Sequence, residues 1–190
     1  MATIGSKGRA RQHQIWFRQE VLKAARGEYD TFLTDTDAMN GLIFFDGFGI
    51  FERAKDRYDI RLEQNKACFS NMLRSEHIPF NFFIPLAMDL EFARDMLNWF
   101  VGGIIKSVTR IEIEHAPVPE KALKDKTSFD VYIEFIHQDG NKGVLGVEVK
   151  YTEGAYKLKE HSKEEKEINN PDSRYNTLTS KIGLYRKEII

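Results

Sequence analysis

The sequence predicts an α/β fold, a mixed β-sheet flanked by helices, and three observations carry that expectation. Phe92, Ala93, Met96, Leu97, Phe100 and Val101 recur at helical spacing and stop at Gly102-Gly103, which marks a helix end. Residues 104–115, 129–136 and 147–150 instead alternate with a period of two, the signature of strands. Between the last two segments lies Asp139-Gly140-Asn141-Lys142-Gly143, whose glycines tolerate the positive φ of a tight loop, so the flanks form a β-hairpin. The expected order is therefore helix followed by three strands.

Taken from the start, Ser6 to Ala25 reads as a helix with Ser6 as its cap and Gly27 beyond its end. Phe17, Val21, Leu22 and Ala25 make an apolar stripe, and Lys7, Arg9, Arg11, Arg18, Lys23 and Arg26 make the segment basic. An amphipathic helix with solvated charges is the preferred reading, ahead of a phosphate-contacting arm. Asp35, Asp37, Asn40 and Gly41 read as turn residues, since no downstream acidic ligand completes a calcium loop. Leu42-Ile43-Phe44-Phe45 reads as a short strand entering the loop Asp46-Gly47-Phe48-Gly49.

Ile50 to Leu73 carries opposite charges three and four residues apart, as a solvent-facing helix does, with Cys68, Phe69, Met72 and Leu73 turned to the core. Ser75 is placed to cap the next helix, with Pro79 in its first turn and Pro85 ending or bending it. Asp89 caps a second helical piece that runs to Gly102. After a strand over 104–115, Pro117 to Lys126 is a charged connection. Beyond Tyr151 the Lys- and Glu-rich stretch through Glu167 reads as a solvated loop or frayed helix, and Arg174, Leu178, Ile182 and Tyr185 as a short final helix on the sheet. The organisation expected is an N-terminal helical appendage and connection over 1–64 and a core over 65–190.

With 28 basic and 29 acidic residues the chain is close to neutral, so any nucleic-acid surface must arise from local clustering. Cys68 is the only cysteine, which excludes an internal disulfide and a multi-cysteine zinc site and suits a reducing, cytoplasmic setting. No run reaches the roughly 18 apolar residues of a membrane span, so no membrane partner is expected. His115 and His161 lack partners at metal-ligand spacing.

The chemistry concentrates in the hairpin. Phe129, Val131, Ile133 and Phe135 face the core, while Asp130, Tyr132 and Glu134 face the other way. On the returning strand Val147 and Val149 point inward, and Glu148 and Lys150 share the outward face. Paired in this way, Asp130 can lie beside Glu148 and Lys150. Two carboxylates are hard oxygen ligands suited to Mg2+ or Mn2+, with the Val149 carbonyl completing the inner shell. Lys150 can orient or activate a water there. Glu134 shares the parity of Asp130 and is a weaker ligand candidate.

Asp130, the hairpin and Glu148-Val149-Lys150 together resemble the signature of the PD-(D/E)xK nuclease superfamily. The segment Arg74-Ser75-Glu76-His77-Ile78-Pro79-Phe80-Asn81-Phe82-Phe83-Ile84-Pro85-Leu86, and later Ser173-Arg174-Tyr175-Asn176 and Gly183-Leu184-Tyr185, are similar to a bacterial nuclease-like branch of it. Phe129 stands where the motif has proline. The resemblance implies a restriction-endonuclease-like core of αβββαβ order. With 40 residues after Lys150, its C-terminal part is expected to be truncated. It also implies metal-dependent hydrolysis of nucleic acid, DNA ahead of RNA, with a first-helix glutamate, Glu76, joining the metal site. A homodimer is among the assemblies it allows. The alternative is a module that kept this fold and binds nucleic acid or protein without turnover.

Overall fold

A computed structural model describes residues 5–61, 63–116, 128–152 and 159–182. The chain divides into two compact units: residues 1–115 with 128–153, and residues 116–127 with 154–190. The first holds helices α1 (Ser6–Trp16), α2 (Asp35–Met39), α3 (Ile50–Arg57), α4 (Glu63–Ser70), α5 (His77–Met88) and α6 (Leu90–Val101). They are followed by strands β1 (Ile105–His115), β2 (Phe129–His137) and β3 (Lys142–Val147). In the second unit, α7 (Lys163–Asn169) is capped by the Ser162 hydroxyl, which accepts from the Glu165 N–H, and α8 spans Arg174–Ile182. The connection Pro117–Lys126 and the motif Gly183-Leu184-Tyr185 lie outside the described residues.

The strands order as β1-β2-β3, and both pairings are antiparallel. The expected α/β class stands, and the described strands of its sheet are antiparallel throughout; between β2 and β3 the tight hairpin requires that direction. The helix-then-three-strands order stands. Val131, Ile133 and Phe135 are buried as the alternation requires. At the turn, Gly140 takes φ +90° and its N–H donates to the His137 carbonyl at 2.9 Å.

β1 departs from strict alternation. Its pairing with β2 slips between Ile105 and Ser107 and again between Val108 and Arg110. Each slip adds one residue to β1, so Ile105, Val108 and Ile111 all reach the core side at a spacing of three. Strict alternation would set Val108 on the face of Lys106 and Arg110; the two bulges turn it to the core.

Two apolar clusters fill the first unit. One joins Phe44, Ile50, Ala54, Phe69, Phe80 and Ile84, so residues on both sides of position 64 share it. The other packs α5 and α6 on the sheet through Phe83, Leu86, Ala93, Leu97, Ile105 and Val131. Asp89 caps α6 as expected, accepting from the Phe92 N–H at 3.0 Å, and Gly102 ends it at φ +75°. Asn98 fixes α6 to β1: its amide donates to the Ile105 carbonyl at 2.8 Å and its oxygen accepts from the Ile105 N–H at 2.9 Å. Phe92 and Phe100, expected in the core, are exposed, since the buried face is carried by Ala93 and Leu97.

Other local expectations shift. α1 is capped by Gly5 rather than Ser6, and after Trp16 the helix widens into a π-helical turn, Phe17–Val21, that ends short of Ala25. Leu42–Phe45 is a series of turns, because Thr34 starts a helix upstream by accepting from the Asp37 N–H at 3.1 Å. The single helix expected over Ile50–Leu73 breaks at Asp59, whose carboxylate binds the Arg61 N–H at 3.0 Å and its guanidinium at 2.9 Å. Arg61 holds the Asp59 carboxyl down at about 2. α5 begins after Glu76 rather than at a Ser75 cap, and it continues through Pro85 to Met88.

Candidate active site

Asp130 is the second residue of β2. The register pairs Val131 with Val147 and His115 with Phe129, so the row through Asp130 passes between Glu114 on β1 and Glu148 just beyond β3. Past Val147 the chain leaves the ladder, but its backbone stays close: the Val149 N–H donates to Asp130 Oδ2 at 2.6 Å. That bond holds Glu148-Val149-Lys150 against the start of β2. Lys150 Nζ contacts Glu148 Oε1, and both side chains are open to solvent, at 60% and 58% exposure.

Alternation along β1 would set Glu114 with Glu112 on a solvated face, but the register brings it to this row. It takes φ +56° and is only 10% exposed at its side chain. Its carboxylate accepts from the Tyr58 hydroxyl at 2.7 Å, from Arg57 at 3.1 Å and from the Ser128 hydroxyl at 3.1 Å. Burial, and then the bond to Glu114, push the Tyr58 hydroxyl pKa up. A polar residue beside the expected chain crossing into β2 was the available signal. It needed the register to be read.

Burial raises the Asp130 carboxyl above its ordinary value of 3.8; the charges of Glu148 and Glu114 act in the same direction, against the Val149 N–H and Lys150. Its ionised form therefore lacks full compensation from the protein. Two carboxylates, the half-buried Asp130 and the exposed Glu148, are the hard donors a divalent ion takes, so the residues present fit such an ion. Among the described residues, no three or more His, Cys, Asp or Glu side chains gather closely enough to hold a metal by themselves.

The remaining candidates lie as follows. Glu76 stands at the start of α5, where its Oε2 accepts from Arg74 Nε at 2.9 Å. Glu134 lies four residues along β2 from Asp130, about 13 Å at strand rise, and pairs with Arg110 at 3.3 Å. His115, expected to be isolated, contacts Glu112 at 2.5 Å and stacks on Tyr132 with centroids 4.1 Å apart. Burial pushes the Cys68 thiol up, away from nucleophilic reactivity. Among the described residues, no helix is long and apolar enough to cross a membrane.

No curated protein and no solved structure matches the chain. A family model described as the PD-(D/E)XK nuclease superfamily matches residues 5–189, nearly the whole sequence. With that match over a helix-and-three-strand core, the chain belongs to the PD-(D/E)XK nuclease superfamily.

Proposed function

We propose that the protein is a metal-dependent nuclease that hydrolyses phosphodiester bonds of DNA at the Asp130, Glu148 and Lys150 end of the hairpin. The single observation supporting this is the 2.6 Å bond from the Val149 N–H to Asp130, which ties both arms of the motif together. Asp130, Glu148 and the Val149 carbonyl would hold Mg2+ or Mn2+. When bound, such an ion supplies Lewis acidity toward a phosphate oxygen and a water. Lys150, anchored beside Glu148, orients that water or neutralises charge growing on the phosphate. One P–O bond forms from the water oxygen and one ester P–O bond breaks. The water's proton passes to Lys150, when its amine is neutral, or to solvent, and the departing alkoxide takes a proton from solvent. Glu76 assists from the start of α5, and pairing of two copies would allow both strands of a duplex to be cut.

The decisive assay is plasmid cleavage with Mg2+, with Mn2+ and with chelator. Cleavage requires the ion, and Glu148→Ala and Lys150→Ala each reduce it by about 100-fold or more, the usual scale for losing a positioned acid–base group. Both side chains are exposed, so both proteins stay folded with stability changed by roughly 0.5 kcal/mol or less. Unchanged cleavage in the two variants rejects the assignment. One observation favours a module without turnover: Glu148 and Lys150 neutralise each other on an open face as an ordinary ion pair does. Calorimetric titration with Mn2+ that registers no binding selects that second reading.

A further inference from the structure

α1 has no part in the chemistry assigned so far, yet its sequence and attachment are unusual. It carries Lys7, Arg9 and Arg11 with no acidic residue, in a chain whose acidic residues outnumber its basic ones. None of its residues is buried. Helices of folded domains are ordinarily held by an apolar stripe. The apolar residues expected to provide one, Phe17, Val21 and Leu22, come after α1 has ended. Beside that continuation, a specific polar contact fixes α1 itself: Gln14 Nε2 donates to the Tyr151 hydroxyl at 2.9 Å. Tyr151 is the residue that follows Lys150.

The helical period fixes which cations share the face of that contact. At about 100° per residue, Lys7 and Arg11 fall within about 60° of Gln14, whereas Arg9 falls on the opposite side. Arg11 is then about 4.5 Å and Lys7 about 10 Å up the helix from the Gln14 attachment. Both side chains are exposed. The face attached beside Lys150 is therefore the face that carries two cations. Along the helix they lie one behind the other, about 6 Å apart in rise, on the N-terminal side of the Gln14 attachment.

We infer that α1 is a backbone-binding arm, with Lys7 and Arg11 contacting phosphates of a DNA strand whose neighbouring phosphodiester lies at Asp130, Glu148 and Lys150. This rests on the nuclease reading of that site and supplies its substrate-binding element. Contacts of this kind are sequence-independent and release counterions, so the binding constant falls with salt by about 0.9 log unit per log unit of salt for each phosphate neutralised on duplex DNA.

The test is fluorescence anisotropy of a labelled DNA duplex in chelator, where binding is read without cleavage, across a salt series. The double variant Lys7→Gln/Arg11→Gln is expected to flatten the salt slope by about 2, and Arg9→Gln to leave it near the wild-type value. Since α1 buries no residue, both proteins should keep the wild-type circular dichroism melt. A double variant with the wild-type slope overturns the inference, as does an Arg9→Gln protein that flattens the slope equally, which would indicate general charge alone. Wild-type protein that binds no duplex overturns it as well. Loss of the nuclease assignment is read separately, from metal-dependent cleavage by wild-type protein and by Glu148→Ala.

Discussion

Asp130 is where the local physics is most informative. An acid whose pKa is raised in the folded state binds its proton more tightly there than when unfolded. Its contribution to stability is complete below the ordinary value of 3.8 and declines as pH rises through the raised value. An asparagine stays neutral and its side-chain oxygen can still accept the Val149 N–H. Asp130→Asn should therefore be slightly more stable than wild type in urea titrations at neutral pH without metal, and no more stable near the acid limit. On the proposed metal assignment the same substitution also weakens the site, so Mn2+ binding by calorimetry should be lost or strongly reduced. A variant less stable at neutral pH would show that burial is not what disfavours the ionised carboxylate. The outward face of Asp130 on β2 was legible from strand parity. Glu114 was not, because alternation places it with solvated neighbours, and only contacts from Arg57, Tyr58 and Ser128 bury it.

At the scale of the element, the hairpin depends on two glycines in β3 that make room for aromatic rings. A Cβ on Gly143 would lie 2.3 Å from the Phe135 ring, and one on Gly146 would lie 2.6 Å from the Phe129 ring. Phe135 is buried in the sheet's core and has little freedom to retreat, whereas Phe129 is partly exposed and can swing outward. Gly143→Ala is accordingly expected to destabilise by about 1–3 kcal/mol, the usual cost of overpacking, with a smaller loss for Gly146→Ala. Chemical denaturation of the two variants checks the order, and equal losses would contradict it. Gly143 was read with the turn and Gly146 with no role of its own, because the rings these glycines accommodate depend on register across strands. The same limit hid the bulges of β1: a bulge is a property of two paired strands, and single-strand periodicity cannot contain it. Short helices were misread for a related reason. The Thr34 cap competes with the apolar run Leu42–Phe45, and packing of Phe44 beside Phe69 and Phe80 resolves the competition in favour of turns.

For the whole molecule the expected consequence of the carboxylate pair is linkage. A ligand that binds only the folded chain stabilises it in proportion to the logarithm of its excess over Kd. Mn2+ at 100 times its Kd should add about 2.7 kcal/mol, or roughly 5–10 °C in Tm for a chain of this size, reversed by chelator. Thermal melts of wild type and Asp130→Asn with and without Mn2+ check this, and an equal shift in both would mean that the ion binds elsewhere. The near-neutral charge makes the salt dependence of α1 a local rather than a global property. By itself the sequence determined the α/β class, the order of helix and three strands, the hairpin turn and the spacing of Asp130, Glu148 and Lys150, because each follows from periodicity within short segments. Tertiary structure alone decided that Glu114 joins the row through Asp130, that α1 is attached beside Lys150, and that β1 reaches the core through two bulges. Those features arise from pairing and contact between distant segments, which no local pattern encodes.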